Sequence, residues 1–179
     1  MKIGIDRLSF FIPNLYLDMT DLAESRGDDP AKYHIGIGQD QMAVNRANED
    51  IITLGANAAS KIVTEKDRER IDMVIVGTES GIDHSKASAV IIHHLLKIQS
   101  FARSFEVKEA CYGGTAALHM AKEYVKNHPE RKVLVIASDI ARYGLASGGE
   151  VTQGVGAVAM MITQNPRILS IEDDSVYLT

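Results

Sequence analysis

The chain has 179 residues, of which 45% are hydrophobic and 24% charged, with a formal net charge of −5. That length and balance fit one ordinary globular domain with a packed core and argue against long disorder. The acidic excess argues against a general nucleic-acid binder, and a single cysteine, Cys111, excludes an intrachain disulfide and points to a reducing compartment.

Ile3 to Ile12 reads as a first, weaker strand. The N-terminus lacks the features of a signal peptide. Lys2 is soon followed by Asp6 and Arg7, and the apolar run from Ser9 is broken by Pro13 and Asn14. No stretch is long enough to span a bilayer, so the expectation is a cytoplasmic protein with no membrane partner. Glu24 to Gln41 carries Gly27, Pro30, Gly36 and Gly38 and reads as a long loop. Asp50 then opens a helix with Ile51, Leu54, Ala58 and Ile62 on one face. Lys66-Asp-Arg-Glu-Arg reads as a solvated helix end.

Met73 to Val76 is the first strand buried on both sides. After Asp83 a second helical stripe runs through Ala87, Val90, Ile91, His94, Leu95 and Ile98. Arg103 to Val107 is a weaker strand. A third helix after Cys111 places Ala117, Ala121, Tyr124 and Val125 together until Pro129 stops it. Val133 to Ala137 and Val155 to Ile162 are further buried strands, and Arg167 to Ile171 a short one. The alternation predicts an α/β domain with a largely parallel sheet.

Open α/β sheets bind ligands outside the carboxyl ends of their strands. Glu79, Cys111 and the Ser138-Asp139 pair all follow such ends. Cys111 opens a helix, where unpaired N–H groups favour a thiolate, and Tyr112-Gly-Gly lets backbone approach a thioester and offer an oxyanion hole. The competing reading is a small buried hydrophobe, as most lone cysteines are. Glu79 by itself reads as a surface residue capping the next helix; its place after a buried strand points to partial burial, which raises a carboxyl pKa toward the range of general acid/base work. The six histidines offer no metal site: His93 and His94 are adjacent and diverge, and His94 reads as a satisfied core residue. His119 lies two turns beyond Cys111. Gly154-Val-Gly-Ala precedes a strand and is not a dinucleotide fingerprint.

These motifs resemble a known family. Glu109-Ala-Cys-Tyr-Gly-Gly-Thr-Ala-Ala is similar to the nucleophile segment of hydroxymethylglutaryl-CoA synthases, with a Gram-positive bacterial flavour. Val76-Gly-Thr-Glu-Ser, with Asp83 and Ser85-Lys86, resembles their general acid/base segment. Lys32-Tyr-His-Ile-Gly-Ile-Gly-Gln resembles their early CoA-side loop. Ser138-Asp-Ile-Ala-Arg-Tyr, Gly148-Gly-Glu and Thr152-Gln-Gly-Val-Gly-Ala-Val-Ala follow in the right order, so the likeness runs from about Gly4 to Pro166.

The resemblance implies a thiolase-like fold, residues 1–179 being its N-terminal half, with a largely parallel mixed sheet and a buried helix after the nucleophile. It implies condensation of acetyl-CoA with acetoacetyl-CoA in the mevalonate pathway, through acetylated Cys111 and with Glu79 as acid/base. It places Asp29, Pro30 and Lys32 at the CoA ligand, Thr152 at the acyl group and Tyr143 beside the site. The CoA thioesters are substrates, no separate cofactor is implied, and the full-length protein would be a homodimer. Val151 stands where the family usually has proline. The family's second half, which adds a histidine, an asparagine and a serine to the site, would lie beyond Thr179. The small face of the helix after Cys111 (Gly113, Gly114, Ala117, Ala121) would then lack its partner helix, leaving the chain self-associated and inactive alone. The alternatives are a β-branching polyketide-type synthase of the same family and a non-catalytic acyl-CoA-binding fragment.

Overall fold

The computed structural model describes residues 1–173. In chain order the elements are β1 (Ile3–Phe11), β2 (Leu15–Asp18), α1 (Met19–Arg26), α2 (Pro30–His34), β3 (Gln41–Val44), α3 (Ile51–Ser60) and α4 (Glu65–Arg68). There follow β4 (Ile71–Gly77), α5 (Ser88–Leu95), β5 (Arg103–Val107), α6 (Gly113–Asn127), β6 (Lys132–Ala141), a 3₁₀ turn (Glu150–Thr152), β7 (Gly154–Gln164) and β8 (Leu169–Ser170). Among these described helices none is long and apolar enough to cross a membrane.

The main sheet has the order β5-β4-β6-β7-β1-β8, while β2 and β3 pair separately. β4 is parallel to both β5 and β6; β7 is antiparallel to β6 and to β1, and β8 to β1. Four strands, β1, β4, β5 and β6, therefore share one direction. The continuous apolar runs are explained by cover on both faces. Val74, Val76, Leu134 and Ile136 pack under α3 and α5, whereas Met73, Ile75, Val133 and Val135 alternate to the other face, under α6. A bulge between Ile5 and Arg7 shifts the phase of β1. Ser9 thereafter turns to the α3 side, donating to the Ala58 carbonyl, and Arg7 donates to that of Ile62.

Four expectations are corrected. The segment 24–41 is not a loop. Asp18 caps α1, Gly27 ends it in the left-handed region at φ 70°, Asp29 caps α2 and Pro30 starts it. Met19, Leu22, Ala23, Tyr33 and Met42 form a third small core there. Second, α5 buries Ala89 and Ile92, and Leu96 follows them inward, while Val90, His94 and Leu95 are exposed. A helix apolar nearly all round does not declare its face by periodicity. The satisfied histidine is His93, whose ring meets Ser104 Oγ and the carbonyls of Ile98 and Gln99.

Third, the charge run after Lys66 is not simply solvated. Asp67 is buried, held by Arg7 at 2.8 Å, Lys132 at 2.7 Å and the Thr64 hydroxyl and amide. Burial by itself raises its pKa, but the hydrogen bonds from Arg7, Lys132 and Thr64 prevail and hold the carboxyl far below the usual range. Fourth, the small face of α6 meets the chain's own sheet rather than awaiting a partner helix. Ala117 and Ala121 are fully buried beside Ile75 and Val135. A Cβ on Gly114 would stand 3.1 Å from that of Ala137.

Candidate active site

β4 and β5 finish side by side, and the Thr78 amide donates to the Val107 carbonyl at 3.2 Å, locking the two ends together. Beyond β5 the chain turns sharply. Ala110 takes φ 39°, a strained value for a residue with a side chain, and the Gly113 amide returns to the Ala110 carbonyl. The turn sets Cys111 immediately before the first turn of α6. Gly77 is required beneath it, because a Cβ there would lie 2.5 Å from the Gly114 nitrogen.

Glu79 follows β4 by two residues. Its backbone is held firmly: Asp139 Oδ1, from β6, accepts from the Glu79 amide at 2.7 Å, the Ser80 amide at 3.1 Å and the Thr78 hydroxyl at 2.9 Å. The Ser80 hydroxyl lies 2.9 Å from the same oxygen and accepts from the Ile140 amide. One carboxylate thus ties the end of β4 to β6. Glu79 Oε1 then stands 3.6 Å from Cys111 Sγ. The expected partial burial of Glu79 is not found: the side chain is exposed, as is Cys111. Both line an open cleft of about 500 Å³ together with Ser80, Asp139, Ile140, Ala141, Arg142 and Tyr143.

Of the residues singled out in the sequence, Glu79, Cys111, Asp139 and Tyr143 converge on this cleft. Ser138 does not. Strand alternation turns it to the opposite face, where it is buried and donates to the Ile51 carbonyl at 2.7 Å. Asp29, Pro30 and Lys32 lie on the separate α1–α2 unit and do not line the cleft. Asp29 accepts from the Ala31 amide, and Lys32 pairs with Asp28 at 3.0 Å. Thr152 also stays off the lining, donating to the Gly149 carbonyl. Val151 lies in the 3₁₀ turn and packs against the Met19 core.

Two features escaped the sequence reading. One is the anchoring role of Asp139, signalled only by its motif. The other is Glu150, buried and gripped by Arg26 from α1 at 2.7 and 2.8 Å. The Arg26 guanidinium, with help from the Ala146 amide, holds the Glu150 carboxyl down to about 2. No sequence signal links positions this far apart.

A cysteine before a helix N-terminus, with a carboxylate at the end of the adjoining parallel strand in a two-faced sheet, makes this an α/β protein that sets a nucleophile beside a proton-transfer group. The chain belongs to the hydroxymethylglutaryl-CoA synthase family: the profile described as hydroxymethylglutaryl-coenzyme A synthase N terminal matches residues 1–167. It is 64% identical over 179 residues to the hydroxymethylglutaryl-CoA synthase of Enterococcus faecalis, covering 100% of this chain and 47% of that one. A polyketide-biosynthesis 3-hydroxy-3-methylglutaryl-ACP synthase of Bacillus subtilis is 38% identical over 187 residues, covering 96% and 44%. Among solved structures, an HMG-CoA synthase complexed with CoA superposes with TM-score 0.94 at 51% identity, covering 97% of this chain and 45% of that one. The chain therefore spans about half the length of the curated relatives it matches.

Proposed function

We propose that the chain is the N-terminal half of a hydroxymethylglutaryl-CoA synthase and carries the nucleophile and the acid/base of an acetyl-CoA plus acetoacetyl-CoA condensation. The observation that carries this reading is the 3.6 Å approach of Cys111 Sγ to Glu79 Oε1 in one cleft. Cys111 gives up its thiol proton and its sulfur attacks the acetyl carbonyl, the bond to CoA sulfur breaks, and that proton leaves with CoA as the thiol. The acetyl methyl carbon is then two bonds from Sγ, within reach of a carboxylate that already touches the sulfur. Glu79 takes a methyl proton, and the resulting enolate carbon bonds to the ketone carbon of acetoacetyl-CoA. The proton on Glu79 passes to the new alkoxide, and water cleaves the Cys111 thioester to free the product. The steps are acyl transfer, proton transfer, carbon–carbon bond formation and hydrolysis, and the scheme calls on the CoA thioesters as substrates with no separate cofactor.

Asp29, Pro30 and Lys32 are the proposed CoA contacts, with Tyr143 and Thr152 at the acyl end. We place the protein in the cytoplasm, as a homodimer in the mevalonate pathway. The CoA-thioester part of this reading is supported by the CoA-complexed relative and by a second relative, in complex with 3-hydroxy-3-methylglutaryl coenzyme A, at 43% identity. A CoA donor is favoured over a carrier-protein donor by 64% against 38% identity. Peptide mapping after exposure to acetyl-CoA tests the reading. One acetyl group is expected on the Cys111 peptide, absent in Cys111→Ser. Label elsewhere, or a preference for acetylated carrier protein, overturns it.

A further inference from the structure

We propose that Glu150 is a positioning residue that couples ligand occupancy of the α1–α2 unit to the loop walling the Cys111 cleft. The proposal rests on the CoA-thioester reading above. The Glu150 carboxylate is engaged from two directions, Oε1 by Arg26 and Oε2 by both Arg26 and Ala146. Arg26, the last residue of α1, donates from Nε at 2.8 Å and Nη2 at 2.7 Å, while the Ala146 amide donates at 2.9 Å. The Glu150 side chain is 5% exposed and that of Arg26 31%, so the carboxylate is shielded while the guanidinium stays partly open to water.

On one side the link reaches the proposed CoA contacts. Arg26 leads through Gly27 to Asp28, which accepts from the buried Tyr33 hydroxyl at 2.6 Å and from Lys32 Nζ at 3.0 Å. Asp29 and Pro30 follow directly and open α2. A ligand contacting Asp29, Pro30 or Lys32 therefore touches the short segment that follows Arg26 in the chain and that Asp28 ties to Lys32 and Tyr33.

On the other side it reaches the cleft wall. Ala146 holds φ 56°, a left-handed value unusual for alanine, and the bond to Glu150 closes that turn. Gly149 packs so closely on the Tyr143 ring that a Cβ would stand 3.1 Å from it. Gln153 Oε1 accepts from the Tyr143 amide, and Tyr143 lines the cleft. The planar, two-pronged pairing of Arg26 fixes orientation as well as distance, as a point contact would not. Ion pairs, whether exposed or buried, add little net stability over apolar packing, which favours a positioning role over a merely stabilising one.

The test is amide hydrogen exchange with CoA itself as the probe. In the wild type, CoA is expected to slow exchange both in 29–35 and in 144–152. Arg26→Met is expected to keep the first protection and lose the second, and Arg26→Lys to fall between. Glu150→Gln is expected to speed basal exchange of the Ala146 amide by roughly tenfold, the worth of a charge-assisted hydrogen bond. The paired variant Arg26→Met/Glu150→Met refills the space without the charges and is expected to fold yet not transmit. CoA-dependent protection of 144–152 that persists in it overturns the coupling and leaves the CoA reading intact, as does a wild type protected only in 29–35. A wild type unprotected in 29–35 overturns both.

Discussion

Asp139→Asn separates anchoring from chemistry. Asp139 Oδ1 gathers the Thr78 hydroxyl and the amides of Glu79 and Ser80 at 2.7–3.1 Å, so the backbone carrying the proposed base depends on one charged oxygen. An amide oxygen keeps the acceptor but not the charge. Each charge-assisted bond is worth about 1.5–3 kcal/mol against about 0.5–1.5 for a neutral one. Losing roughly 1 kcal/mol at each of three bonds comes to about 3 kcal/mol, and if that loss falls on the placement of Glu79 the rate of condensation drops about 10²-fold. The assay is condensation of acetyl-CoA with acetoacetyl-CoA by the protein as it occurs in its source, run alongside acetylation of Cys111. Glu79→Gln alone is expected to cost on the order of 10²–10⁴-fold in condensation while Cys111 still acetylates. Because Asp139 is argued to act through Glu79, the double variant should be little worse than Glu79→Gln. Losses that multiply in the double variant, or Asp139→Asn condensing within a fewfold of wild type, would refute the reasoning.

Asp67→Asn strips the buried anion from between Arg7 and Lys132 and is expected to cost about 3–5 kcal/mol in urea or thermal unfolding. The folded-state pKa of Asp67 is depressed, so its contribution is present above the ordinary carboxyl value and fades as pH falls toward the folded one; the stability gap between wild type and Asp67→Asn should begin to narrow below about pH 4 and close only as the pH nears the much lower folded value. Gly77→Ala drives a methyl into the Gly113–Gly114 backbone and is expected to lower stability by about 1–3 kcal/mol and slow Cys111 acetylation, with unchanged unfolding curves counting against the close packing. Leu8, Phe10 and Ile12 are exposed, and Leu8 and Phe10 lie opposite Met160 and Val158 of the α6-facing core, so the chain is expected to self-associate through this strip. Light scattering should show smaller species for Phe10→Lys.

Much of the fold was legible because β4, β6 and β7 are covered on both faces and therefore read as unbroken apolar runs. Asp50 announced α3 because its side chain, with Thr53, closes a capping box. The α1–α2 unit was missed because Gly27 and Pro30, which end and begin helices there, are the same residues that mark loops. In the site, Cys111 and Glu79 were found because each follows a strand that the topology sends to the same edge. Asp139 as an anchor, Glu150 with Arg26, and Asp67 with Arg7 and Lys132 were beyond reach. Their partners are set by tertiary register, and a charged side chain carries no mark of which strand it will meet.

The Arg7–Asp67–Lys132 cluster grips the beginnings of β4 and β6, and Glu79 and Asp139 sit at their finishes, so the same two strands have a moored end and a working end. The seven residues of β4 put roughly 20 Å between them. Substitutions that strengthen the mooring can therefore accumulate without brushing the cleft. That gives the protein room to gain heat resistance while leaving its chemistry alone, a separation that folds with a stabilising charge cluster inside the reactive pocket lack.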